Sequence, residues 1–91
     1  MEKLIYNVSQ NQFGEIILTV TYKTEILPKH ITYVYQQKTL QQLFLHQGKN
    51  DFMTYQFKYI SEQISNNEAK EEFLIRRQQI REDVLKLISV E

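Results

Sequence analysis

Cysteine and tryptophan are absent from the chain, proline occurs once, at Pro28, and glycine twice, at Gly14 and Gly48. Without cysteine there can be no disulfide, iron–sulfur cluster or thiolate metal site. Small secreted domains are commonly stapled by disulfides, so the expected setting is the cytoplasm, or an organelle interior entered without a visible presequence. With so few breakers, nearly every residue can sit in regular structure and loops should be short. Long apolar runs are lacking too. Met1, Glu2 and Lys3 lead straight into Leu4-Ile5-Tyr6, and no stretch reaches the length of a signal core or a membrane span, so no membrane partner is expected. Neither sign of charge is in excess: 11 Lys and Arg balance 11 Asp and Glu. A protein holding nucleic acid by phosphate neutralisation usually carries a clear basic surplus, so that class loses weight.

The composition that remains, 42% hydrophobic and 24% charged, is that of a chain that folds. At 91 residues it suits one domain, 1–91, and is too short for two independent cores. Glutamine is frequent but scattered in ones and twos, which is compositional bias rather than an aggregation tract.

Alternation dominates the first third. Leu4, Tyr6 and Val8 alternate with Lys3, Asn7 and Ser9 as in a half-buried strand. Asn11-Gln12-Phe13-Gly14 supplies a turn, with Gly14 able to take positive φ. Over residues 15 to 24, Ile16, Leu18, Val20 and Tyr22 fall on one face and Ile17, Thr19, Thr21 and Lys23 on the other. Pro28 places a connection near residues 25 to 29, and Ile31, Tyr33 and Tyr35 set one face of a third strand over 31 to 36.

The middle admits two readings. Thr39 to Gln42 resembles a capping box heading a short helix that Gly48 would close, yet Leu43-Phe44-Leu45 suits a strand equally. Residues 52 to 60 set Met53, Tyr55, Phe57 and Tyr59 in strict alternation, which favours a strand, although Met53, Phe57, Ile60 and Ile64 also fall at helical spacing. The last segment is plainly helical. Ser65 with Glu68, or Asn67 alone, is the expected cap, and Ala69, Phe73, Ile80, Val84 and Leu87 form the stripe that should cover a sheet. Glu72 with Arg76, and Glu82 with Lys86, stand at ion-pair spacing. The expected fold is α+β: an antiparallel β-meander of four to five strands with one long C-terminal amphipathic helix, running to about Ser89, packed on one face.

No motif carries chemistry. His30 and His46 lack a third ligand at a familiar spacing, no serine sits in a nucleophile-elbow context, and no glycine-rich phosphate loop is present. Glu71 and Glu72, being adjacent, diverge on a helix. No catalytic residue, metal site or cofactor is therefore expected, and the expected function is a non-enzymatic protein-binding domain: an accessory subunit, inhibitor or regulator that docks on another protein or on a copy of itself. Its candidate surface is a helical shoulder of Leu74, Leu85 and Ile88 with Arg77 and Arg81 set between them, since arginine beside apolar area is an interface pattern. The same shoulder could instead be the wide edge of the core. The alternative is a single-stranded nucleic-acid binder in which Tyr33, Tyr35 and Tyr55 stack bases beside Arg76. The favoured reading of those tyrosines is core beneath the helix, with hydroxyls reaching the rim.

Overall fold

The computed structural model describes residues 3–88. Three strands, β1 (Leu4–Gln10), β2 (Ile16–Lys23) and β3 (Pro28–Tyr35), precede three helices, α1 (Gln37–Gln47), α2 (Lys49–Gln63) and α3 (Asn67–Lys86). The fold is thus a three-stranded antiparallel meander, ordered β1-β2-β3, packed against three helices. The expectation of four to five strands under a single C-terminal helix is overturned.

The sheet follows the alternation. Leu4 pairs with Tyr22, Val8 with Leu18, and Leu18 in turn with Tyr33, so inward positions of all three strands line up on one face. Asn11 builds the β1–β2 turn by accepting from the backbone N–H groups of Phe13 and Glu15, and Gly14 sits at φ 78°. In the β2–β3 loop the Thr24 hydroxyl donates to the Leu27 carbonyl and accepts from the Ile26 and Leu27 N–H groups. Pro28 does not separate the strands; it opens β3, opposite Lys23 on the sheet edge, where its missing N–H costs no ladder bond.

Residues 52 to 60 are helix, not strand. Phe52, Met53, Phe57, Ile60 and Ile64 are buried at helical spacing, while Tyr55 and Tyr59, which the alternation placed with them, are exposed. The apolar period of 3.6 wins because it lets α2 bury one continuous stripe; a strand would have turned Phe52 and Ile60 away from Met53 and Phe57. The segment 39–47 is also helical, but α1 starts at Gln37 after a cap, Gln36, with no side-chain cap bond, so the Thr39 capping box does not form. Gly48, at φ 86° and ψ 136°, is the whole connection between α1 and α2: its N–H donates to the Phe44 carbonyl and its own carbonyl accepts from Phe52.

Asn66, rather than Ser65 or Asn67, caps α3 by accepting from the Glu68 and Ala69 N–H groups. Four members of the expected stripe, Ala69, Phe73, Ile80 and Val84, are buried, and Leu87 packs at the edge of the same cluster just beyond the helix. Glu72 and Arg76 form their ion pair at 3.3 Å; Glu82 instead receives a hydrogen bond from Gln78. α3 ends at Lys86 with Leu87 as its C-cap, short of the expected end near Ser89, a residue that itself lies outside the described residues. The core joins the inner sheet face to all three helices, with edge-to-face ring pairs Phe44–Phe52 and Phe57–Phe73 stitching α1 to α2 and α2 to α3.

Candidate functional site

The tyrosines of the sheet point into the layer boundary and bond across it. The Tyr6 hydroxyl donates to the Asp83 carboxylate of α3 at 2.8 Å, Tyr22 meets the Ser65 hydroxyl at 3.2 Å and accepts from the Ser65 N–H at 3.1 Å, and Tyr35 accepts from the Gln56 amide of α2 at 2.6 Å. Tyr33 lies edge-on to Tyr59 of α2, with its hydroxyl buried and unpartnered among the described residues. Burial, only partly offset by the Gln56 bond, pushes Tyr35 up to about 12. Burial and the Asp83 bond raise Tyr6, while the same bond, with a second from Gln79, holds Asp83 below the usual carboxylate range. The four residues of the stacking alternative are not gathered on one open surface. Tyr33 and Tyr35 are half-buried against helices, Tyr55 is 73% exposed on the outer side of α2, and Arg76 is engaged by Glu72 on α3.

No described element covers the outer sheet face. Its middle row is Asn7, Thr19 and Thr32, and His30 hydrogen-bonds Thr21 through Nδ1 at 2.9 Å. His46 stands apart in the last turn of α1, and among the described residues no group of three His, Cys, Asp or Glu could hold a metal ion.

A different surface gathers part of the helical shoulder. α2 and α3 run antiparallel, Asn50 facing Arg81 and Phe57 facing Phe73, and above that contact lies a groove of about 660 Å³. Asn50, Thr54, Phe57, Lys58 and Ser61 line it from α2, and Leu74, Arg77, Gln78 and Arg81 from α3. Phe57 and the half-open Leu74 provide apolar floor. Arg81 donates to the Asn50 side-chain oxygen, and the Ser61 hydroxyl donates to the Lys58 carbonyl of its own helix at 2.7 Å. Among the described residues no carboxylate pairs with Lys58, Arg77 or Arg81; the only one bonded to a lining side chain is Glu82, through Gln78.

Of the five shoulder residues, then, Leu74, Arg77 and Arg81 share the groove, whereas Leu85 does not line it and Ile88 packs partly buried against the core. The α2 half of the site was hidden from sequence reasoning because a strand at 52 to 60 would scatter it. Its signal is the polar run Asn50, Thr54 and Lys58 at i, i+4 and i+8, one flank of a helix whose other flank is apolar. Comparison with protein-family models, with curated proteins and with solved structures finds no significant match to this chain, so geometry alone carries the functional argument.

Proposed function

We propose that the chain is a non-enzymatic protein-binding domain, working in the cytoplasm or an organelle interior as an accessory subunit, inhibitor or regulator, and that it docks through the groove between α2 and α3. One observation carries this: Arg77 and Arg81 stand beside the accessible edge of Leu74, four residues apart, without a carboxylate partner among the described residues. Guanidinium groups without a carboxylate partner, next to apolar floor, can be desolvated by a partner that brings its own acceptors, which is where interfaces concentrate their binding energy. No described helix is long and apolar enough to cross a membrane.

The test is affinity capture of the tagged chain from its native source with and without nuclease treatment, run beside an Arg77→Glu/Arg81→Glu variant. A defined protein, or a second copy of the chain, held by the wild type and lost by the variant is the expected result. Recovery of nucleic acid that is released by nuclease or moderate salt would replace this reading with the stacking alternative.

A further inference from the structure

We infer that the α2–α3 groove recognises an acidic peptide segment of its partner, with carboxylates for Arg77, Arg81 and Lys58 and an apolar residue for the Leu74–Phe57 floor. The inference rests on the docking role proposed above and adds the chemistry of the partner.

Three features select this occupant. The first is sign: Lys58, Arg77 and Arg81 converge on one groove from two helices of a chain whose formal net charge is zero, so the positive character is local and placed. Among the described residues no carboxylate lies in the lining to neutralise it. The second is shape. From Asn50 to Ser61 the α2 wall rises roughly 16 Å, the length of about five residues of extended chain and several times that of a lone phosphate. Arg77 and Arg81 lie four residues apart on one stripe of α3, roughly 6 Å along the axis, close to the separation of alternate side chains in an extended segment. The third is the floor. The half-exposed Leu74, backed by the buried Phe57, offers aliphatic surface to an anchor side chain, whereas no tyrosine lines the groove and the Phe57 ring is not open, so it holds no stacking platform for bases. An acidic peptide with an apolar anchor residue satisfies all three features; a polynucleotide lacks the third.

The full chain would be screened against a random dodecapeptide display library. Selected peptides would then be measured by fluorescence anisotropy against wild type, Arg77→Glu, Arg81→Glu, Arg77→Lys and Leu74→Asp, each first shown by circular dichroism to be folded, with an oligo-dT strand as a separate ligand. The expected result is a consensus rich in Asp and Glu around an apolar residue, with affinity falling about tenfold or more on either charge reversal, retained in part by Arg77→Lys, and weakening with salt. Neutral apolar peptides that are lost in Leu74→Asp but not on charge reversal would overturn the acidic partner and leave the docking role standing. No groove-dependent peptide at all, or oligo-dT binding abolished by the same reversals, would overturn both.

Discussion

Individual side chains in this protein differ sharply in whether their polar atoms are used. Tyr6, Tyr22 and Tyr35 each place a hydroxyl on a named partner across the layer boundary, while the buried Tyr33 hydroxyl has none among the described residues. An unmet buried hydroxyl carries a desolvation cost of about 1–3 kcal/mol, so Tyr33→Phe should leave stability unchanged or raise it by up to about 1 kcal/mol in urea unfolding. Tyr35→Phe should do the reverse and lose about 1 kcal/mol, because it strands the Gln56 amide. Tyr6→Phe should let the Asp83 pKa climb back toward its ordinary range, a change that carboxyl-carbon NMR titration reads directly. The core role of Tyr33 and Tyr35 was legible as one of two readings; that the scattered glutamines are ties was not. Gln10 donates to the Gly14 carbonyl and Gln79 to Asp83 over four residues, whereas Gln37 reaches the same Gly14 carbonyl and Gln56 reaches Tyr35 from 23 and 21 residues away, and nothing local in the sequence marks those two.

Elements were legible to the degree that a single period governed them. β1, β2 and α3 each carry one unambiguous pattern and form where that pattern puts them. α2 carries two. Its alternation of Met53, Tyr55, Phe57 and Tyr59 is real but incidental, and the burial of Phe52 and Ile60 decides for helix; only long-range packing on Phe73 and the β3 tyrosines reveals which residues have something to pack against. The α1–α2 junction makes a sharper test of element-level logic. At Gly48 an added Cβ would meet nothing within 4 Å, so space is not the constraint. The backbone is: φ 86° with ψ 136° is a conformation that residues with a side chain rarely hold. Gly48→Ala should therefore cost about 1–3 kcal/mol in thermal or urea unfolding despite the open surroundings, and Gly48→Val more. An unchanged midpoint for the alanine variant would mean the two helices relax around the corner, and that the α2 wall of the groove is not fixed by it.

At the scale of the whole molecule, the helical layer is fastened to the sheet by tyrosines, so stability should be sensitive to alkali in a way set by their titration. Tyr35 ionises at about 12 in the folded chain against about 10 when unfolded. A raised folded pKa contributes stability in full below the unfolded value and loses it as pH climbs through the folded one. For Tyr35 that window runs from about 10 to 12 and involves on the order of 2 kcal/mol. Tyr6 and Tyr33, raised chiefly by burial, act in the same direction. Tyr22 opposes them: burial pushes it up, but the Ser65 hydrogen bonds and nearby Lys29 more than offset this and leave it lowered, so its anion favours the folded state above the unfolded pKa. The Tyr35 shift is the large one and sets the sign, a net loss at high pH. At the acid end Asp83, held low by Tyr6 and Gln79, supplies stability above its unfolded pKa that disappears as pH falls through the folded value. Urea midpoints measured from pH 2 to 12 should hence drop on both sides, and the alkaline fall above pH 10 should shrink in Tyr35→Phe but not in a variant at exposed Tyr55, which makes no hydrogen bond among the described residues. An alkaline limb that Tyr35→Phe leaves intact would mean that Tyr6 or Tyr33 governs the loss at high pH and that the Tyr35–Gln56 contact between β3 and α2 does not.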